Sequence, residues 1–304
     1  MGKTVYMFPG QGAQYVGMAK EFYDQLKECK EVFEMASDAS GLDIPKLCFE
    51  ENDQIHITEY TQIAMLTAEV AMLTALQSRG LQPQAAAGLS LGEYGALVAA
   101  GVMEPKDAFR VVRSRGIFMQ QAVPEGGAMS AVLGLDAATI EELCEKTAGV
   151  VSIANYNCPG QIVITGESQA VADASALCQE AGAKRVVPLK VSGPFHSQML
   201  TGAGEKLGEV LKDITLHDIA IPYVTNVTAD YVTDVAQVKP LLVQQVSSSV
   251  RWQQSVERLI ADGYDEFVEI GPGHTLAGFM KKIDRSIKTV NIEKWEDFTN
   301  YVGE

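Results

Sequence analysis

The stretch Ala87-Gly88-Leu89-Ser90-Leu91-Gly92-Glu93-Tyr94 decides the fold, because it places a G-x-S-x-G motif between a predicted strand and a predicted helix. Residues 81–87 are largely apolar, which is typical of a buried strand, and residues 93–100 are rich in Ala and Leu, which favours a helix. A serine on a tight turn between strand and helix is a nucleophile elbow. The flanking glycines permit close backbone approach and local strain. The motif therefore predicts that Ser90 is a nucleophile for acyl transfer or hydrolysis.

Strands and helices alternate on both sides of this motif. Apolar runs predict strands over residues 3–8, 81–87, 221–227, 264–270 and 289–292. Three- and four-residue spacing of apolar side chains predicts helices over residues 18–26, 58–79, 105–122, 236–246 and 252–261, and another from residue 275. Such alternation predicts an α/β fold with a mainly parallel sheet flanked by helices, a hydrolase-like core.

The pattern changes between residues 126 and 191. Strands are predicted over 128–135, 150–156, 161–165 and 184–191, with Asn157-Cys158-Pro159-Gly160 as the loop between the middle two. Helices are predicted over 137–147 and 168–179. The order β-α-β-β-α-β is that of a ferredoxin-like unit. We therefore expect a large catalytic subdomain from residues 1–125 and 192–304, and a small inserted α+β subdomain from residues 126–191.

Arg115 stands out on the helix predicted over residues 105–122. It falls on the apolar stripe of that helix, whereas Arg110 and Arg113 fall outside it and are expected to be solvated. A buried arginine needs an anionic partner, because an unpaired buried charge is very costly. One interpretation is a salt bridge to an internal acid. The other is a site for a substrate carboxylate, which the planar guanidinium binds with two hydrogen bonds.

A serine nucleophile needs a base, and histidine is the usual one. His196 lies in the turn Ser192-Gly193-Pro194-Phe195-His196-Ser197, beside a new helix, and is the better candidate; His274, after Gly271-Pro272-Gly273, is the weaker one. An α/β-hydrolase would place an acid between the serine and the histidine. The aspartates in that interval all fall on predicted surface helices or at helix starts. The third member therefore comes from elsewhere, or it is not a carboxylate.

The glycine-rich loop Gly10-Gln11-Gly12 follows the first predicted strand. A glycine-rich loop between strand and helix suggests phosphate binding, but this one lacks the lysine of a P-loop and does not fit G-x-G-x-x-G. The alternative is that the loop supplies a backbone N–H to an oxyanion.

Composition excludes several classes of function. The chain has 304 residues and a net charge of −15, which disfavours nucleic-acid binding. Five widely spaced cysteines without a C-x-x-C pair indicate reduced thiols and no metal site. There is no signal peptide and no apolar run that could span a membrane, so we expect a cytoplasmic protein. The sequon Asn226-Val227-Thr228 is accordingly given no role.

Five ordered motifs together resemble a known family, the malonyl-CoA:acyl-carrier-protein transacylases of type II fatty acid synthesis. These motifs are Phe8-Pro9-Gly10-Gln11-Gly12, the segment from Gly88 to Tyr94, Arg115-Gly116 followed by Phe118-Met119, Phe195-His196-Ser197, and Gly271-Pro272-Gly273. The resemblance implies transfer of a malonyl group from malonyl-CoA to the phosphopantetheine thiol of acyl carrier protein through a malonyl-serine. It implies no cofactor. We expect a monomer, since nothing in the sequence demands a dimer.

The resemblance also implies a role for each matching residue. Ser90 is the nucleophile and His196 its general base, while the backbone N–H groups of Gln11 and Leu91 form the oxyanion hole. Arg115 binds the malonyl carboxylate. The remaining two matches are Gln245, whose main-chain carbonyl orients the histidine, and Asn157, which lies in a loop near the site.

One position departs from the family pattern. The residue before the nucleophile is usually histidine in this family and is Leu89 here. Because this side chain flanks Ser90, the acyl selectivity or the reactivity of the nucleophile could differ from that of the family. Two alternatives also remain: a trans-acting polyketide synthase acyltransferase, which shares the chemistry but serves another carrier, and a serine acyl hydrolase, which shares the elbow but transfers acyl groups to water.

Overall fold

The computed structural model describes residues 2–303, and its larger sheet contains the elbow strand. This sheet is entirely parallel. Its five strands, in spatial order, are β7 (Tyr223–Val224), β2 (Ala85–Gly88), β1 (Thr4–Phe8), β8 (Glu266–Ile270) and β9 (Lys288–Ile292). The predicted mainly parallel sheet is thus confirmed, with β1 at its centre and the elbow strand β2 beside it.

Helices cover both faces of this sheet. The helices outside the small sheet region are α1 (Lys20–Gln25), α2 (Lys27–Ser40), α3 (Ile44–Phe49), α4 (Thr58–Ser78), α5 (Gly92–Ala99), α6 (Pro105–Ala122), α9 (Thr201–Lys212), α10 (Val238–Gln245), α11 (Trp252–Ala261), α12 (Thr275–Ile283) and α13 (Trp295–Val302). Tyr6 and Phe8 of β1 join a core with α4, α5 and α6, whereas Val5 and Met7 join a second core with α11 and α12. This alternation explains why β1 reads as a continuous apolar run, since both of its faces are buried.

The small sheet is antiparallel and is formed by residues 127–188. Its strands are β3 (Gly127–Leu133), β4 (Val151–Cys158), β5 (Gln161–Glu167) and β6 (Arg185–Pro188), in the order β4-β5-β3-β6. Two helices, α7 (Ala137–Lys146) and α8 (Ser168–Glu180), share an apolar core with it. The predicted element order β-α-β-β-α-β is therefore the one observed.

Several local expectations need correction. Asn157 and Cys158 belong to strand β4 rather than to a loop, because pairing with β5 continues to Cys158 through irregular register. Arg113 is not solvated: its side chain is 17% exposed and pairs with the Glu59 carboxylate at 3.1 Å. The strand predicted over residues 221–227 contains only Tyr223–Val224. Helices α2, α3 and α13 were not predicted.

All five cysteines are free and buried. Within the described range, no helix is both long and apolar enough to cross a membrane.

Candidate active site

The nucleophile elbow is held by close contacts between its glycines and neighbouring backbone. Ser90 has a φ of 54°, which is rare for a residue other than glycine. A Cβ on Gly88 would lie 1.9 Å from the Gly92 carbonyl oxygen, and a Cβ on Gly92 would lie 2.1 Å from the Phe8 carbonyl oxygen. The spacing G-x-S-x-G is therefore a steric requirement of the turn, which raises Ser90 above the end of β2.

We predict that Gly92→Ala destabilises the fold by at least about 1–3 kcal/mol, because the added methyl overlaps fixed backbone rather than a mobile side chain. Urea unfolding followed by circular dichroism measures this. Gly278→Ala is the matched control, since nothing lies within 4 Å of its Cβ position on helix α12. That control should be neutral or stabilising by about 0.5–1 kcal/mol. Equal stability of the two variants would contradict the steric explanation.

Asn226, two residues after the end of strand β7, stabilises the elbow through two side-chain hydrogen bonds. Its side-chain Oδ1 accepts the Ser90 N–H at 2.6 Å, and its Nδ2 donates to the Gly88 carbonyl at 2.6 Å. One buried amide thus bridges the two ends of the strained turn. In the sequence, Asn226 is recognisable only as part of an Asn-x-Thr glycosylation sequon. That pattern did not predict its contacts with the elbow.

His196 is brought directly to the nucleophile. Its Nε2 lies 2.7 Å from Ser90 Oγ. Its Nδ1 lies 2.9 Å from the Gln245 carbonyl and 3.2 Å from the Ser248 carbonyl. Because both of these partners are acceptors, Nδ1 carries the proton and Nε2 presents a lone pair to the serine hydroxyl. Main-chain carbonyls therefore take the place of the aspartate that the sequence did not supply.

Burial, together with the nearby Arg115 charge, lowers the pKa of His196 to about 4. The imidazole is consequently neutral at pH 7 and available as a base. The other candidate, His274, is exposed at the start of helix α12. Within residues 2–303, no hydrogen bond joins it to Ser90.

Arg115 is 1% exposed, and its guanidinium also contacts the nucleophile Ser90. Its Nη1 donates to Gln62 Oε1 at 2.8 Å, and its Nη2 donates to Gln245 Oε1 at 3.0 Å and to Ser90 Oγ at 3.2 Å. Among residues 2–303 no carboxylate forms an ion pair with it, and its Nε has no partner. The internal salt bridge considered from the sequence is therefore not the arrangement observed. Gln62 was missed, because it lies 53 positions away on helix α4.

These groups surround one cavity of about 310 Å³. Ser90, Arg115, His196, Gln11, Leu91 and Asn157 all line it, as does Leu89. In the described part of the chain, the backbone N–H groups of Gln11 and Leu91 have no hydrogen-bond acceptor. Asn157 contributes to the wall and makes no hydrogen bond to Ser90 or His196. The site thus combines a nucleophile, a neutral base, two unoccupied N–H donors and a guanidinium without an acidic partner.

A strained serine elbow, a neutral imidazole and free N–H donors are typical of serine enzymes that form acyl intermediates. The model of the acyl transferase domain family matches residues 5–294. A malonyl CoA-acyl carrier protein transacylase of Bacillus subtilis is 45% identical over 297 residues, which are 96% of this chain and 94% of that protein. The chain belongs to the malonyl CoA-acyl carrier protein transacylase family of acyltransferases.

Solved structures agree with this assignment. The MCAT from Streptococcus pneumoniae superposes with a TM-score of 0.96 at 44% identity and covers 99% of each chain. A malonyl-transacylase solved in complex with its type II PKS acyl-carrier protein superposes with a TM-score of 0.96 at 37% identity, again covering 99% of each chain. The family resemblance seen in the sequence motifs is therefore confirmed.

Proposed function

We propose that this protein transfers the malonyl group of malonyl-CoA to the phosphopantetheine thiol of acyl carrier protein, through a malonyl ester on Ser90. One observation carries the proposal: the Ser90–His196 pair and an arginine without an acidic partner face one cavity. A nucleophile beside an unpaired guanidinium suits an acyl group that carries its own carboxylate.

The first half-reaction uses the neutral His196. Its Nε2 accepts the Ser90 proton as Oγ attacks the thioester carbonyl carbon, and the carbonyl π electrons move to oxygen. The N–H groups of Gln11 and Leu91 stabilise that oxyanion. The intermediate collapses with cleavage of the carbon–sulfur bond, and the imidazolium returns the proton to the CoA thiolate.

The second half-reaction reverses these steps with another thiol. His196 accepts the proton of the phosphopantetheine thiol, whose sulfur attacks the malonyl ester. Collapse releases Ser90 Oγ, which recovers its proton from the imidazolium. Acyl, proton and electron pair balance across both halves, and the steps proposed here call for no metal or cofactor.

Intact-mass analysis tests the proposal. Incubation with malonyl-CoA should add one malonyl group, which peptide mapping should place on Ser90, and holo acyl carrier protein should then remove it. An adduct that water removes as fast as carrier does would favour the serine acyl hydrolase instead. Absence of any adduct would refute the proposal.

Selectivity for malonyl should depend on Arg115. Arg115→Ala should lose about 1.5–3 kcal/mol of charge-assisted binding, or about ten- to hundredfold in acylation by malonyl-CoA. Acylation by acetyl-CoA should change little. Stopped-flow acylation rates for both thioesters measure this, with Arg113→Ala as the control, because Arg113 lies on the same helix but pairs with Glu59. Equal losses for both acyl groups would contradict a carboxylate-binding role.

The identity of the carrier is the second question. The type II PKS complex among the similar structures favours testing a polyketide synthase carrier beside the fatty acid carrier. We propose the fatty acid carrier as the physiological acceptor, and comparison of kcat/KM for the two carriers decides between them.

We further propose that the core of the fold is hydrolase-like. We also propose that the protein acts as a monomer in the cytoplasm. The proposed division places residues 1–125 and 192–304 in the catalytic subdomain and residues 126–191 in a ferredoxin-like one. The strand order β4-β5-β3-β6 supports the ferredoxin-like description.

A further inference from the structure

Glu93 is a buried acid that the mechanism above does not use. It lies in the first turn of helix α5, three residues after the nucleophile, and is 1% exposed. Its Oε2 accepts hydrogen bonds from Gln245 Nε2 at 2.6 Å and from the Asn226 N–H at 3.1 Å. Neither contact reaches the substrate cavity directly, so Glu93 affects the site through Gln245 and through Asn226, which holds the elbow.

The side chain of Gln245 stands between this acid and the guanidinium. Its Nε2 donates to Glu93 Oε2 and to the Ser90 carbonyl at 3.0 Å, while its Oε1 accepts from Arg115 Nη2. The orientation of the amide is fixed, because its nitrogen faces two acceptors and its oxygen faces a donor. Its main-chain carbonyl serves His196 separately.

This arrangement separates the Glu93 carboxyl group from the Arg115 guanidinium by one neutral amide. A carboxylate placed directly against Arg115 would form an ion pair with it and compete with any substrate carboxylate. Glu93 instead lies one side chain further away, where burial raises the pKa of its carboxyl group, while hydrogen bonds and the Arg115 charge oppose that shift. The guanidinium has no carboxylate in contact with it and remains available to a ligand.

We propose that the side-chain amide of Gln245 is a specificity determinant: because it lies between Glu93 and Arg115, it keeps the guanidinium unpaired for the acyl carboxylate. The inference rests on the proposed malonyl transfer. It assigns to Gln245 a role distinct from its main-chain contact with the histidine.

An exchange of the two side chains tests the proposal. The double variant Glu93→Gln/Gln245→Glu keeps the same atoms and the same number of buried acids, but moves the carboxylate against Arg115. Its ratio of acylation rates for malonyl-CoA over acetyl-CoA should fall about tenfold or more. Acetyl transfer by the same variant is the internal reference, because acetyl carries no carboxylate; the ratio of the two rates therefore reports the pairing of Arg115 and not the general condition of the site.

Glu93→Gln alone is the matched control. It removes the same acid from position 93 but leaves a neutral amide beside Arg115, so its malonyl-over-acetyl ratio should equal or exceed that of wild type. Urea unfolding verifies that each variant is folded. Gln245→Glu alone carries the same expectation as the exchange, and replaces it if the double variant does not fold.

Two results would overturn the proposal. One is a wild-type ratio in the exchanged variant; the other is an equal fall in Glu93→Gln alone, which would make the charge at position 93 the determinant. Failure of the proposed function is distinguishable from both, because wild-type protein would then form no malonyl ester.

Discussion

Replacing Ser90 with alanine should abolish the malonyl adduct and lower transfer to carrier by about 10⁴- to 10⁶-fold. Alanine removes Oγ, which lies 2.7 Å from His196 Nε2 and 3.2 Å from Arg115 Nη2. The Cβ and the strained φ of 54° are retained, so the variant tests the hydroxyl rather than the turn. Radiolabelled malonyl-CoA with holo carrier gives the rate, and intact mass gives the adduct.

Ser255→Ala is the control for this variant. Ser255 is also buried and donates to the Arg251 carbonyl at 2.8 Å on helix α11, away from the cavity. Its loss should leave acylation within about twofold, since a neutral hydrogen bond contributes stability of only about 1 kcal/mol. A stable adduct on Ser90→Ala protein would show that the nucleophile is another residue.

The sequence predicted those parts of the site that have a local physical cause. The elbow is one of these parts. Its glycines are required because a Cβ would collide with backbone only a few residues away or in the adjacent strand β1. Arg115 is another, because a charge on an apolar helix stripe is visible in a single helix. The coarse architecture followed in the same way, since alternating strands and helices leave few arrangements other than a parallel sheet.

Contacts between distant segments left no comparable signal. Asn226, Gln62 and Glu93 each act through a partner 53 to 152 positions away. Their types are ordinary for buried amides and acids, and no periodicity marks them. Gln245 was assigned a main-chain role through the family resemblance, but its side-chain contacts required the structure. Asn157 was placed in a loop because Pro159-Gly160 follows it, although strand pairing extends two residues closer to that turn.

Leu89 is the position where the family pattern and this chain differ. The structure places its side chain on the wall of the cavity and against Gly10, where a Cβ would lie 2.8 Å from Leu89 Cδ2. The loop that presents the Gln11 N–H therefore packs on an apolar side chain. An imidazole at this position would add a polar group to that wall. The elbow itself depends on the neighbouring glycines and on Asn226, so the departure leaves the nucleophile in place.

The second large effect concerns the base. His196→Ala should lower acylation by about 10⁴-fold or more, because Ser90 then lacks an acceptor for its proton. His274→Ala is the control and should retain wild-type rates, as that side chain is exposed and apart from Ser90. Retention of fast acylation by His196→Ala protein would require a different base.

The pH dependence of the wild-type enzyme tests the same residue. A pKa of about 4 for His196 leaves the imidazole neutral, so kcat/KM for malonyl-CoA should not fall between pH 7 and about 5 on account of this group. It should fall tenfold per unit below about pH 4, where the imidazole is protonated and cannot accept the serine proton. An acid limb near pH 6.5 would contradict the buried, Arg115-shifted histidine.

The fold must be followed over the same range, because the shift in pKa also affects stability. Unfolded, His196 returns to its ordinary pKa of 6.5 and binds a proton more readily than in the folded chain. The stability linked to the neutral imidazole is therefore complete above pH 6.5 and is lost as the pH falls through about 4. Circular dichroism at each pH separates this loss from titration of the base. A rate that falls while the spectrum stays native reports protonation at Nε2, since Nδ1 already carries a proton toward the Gln245 carbonyl.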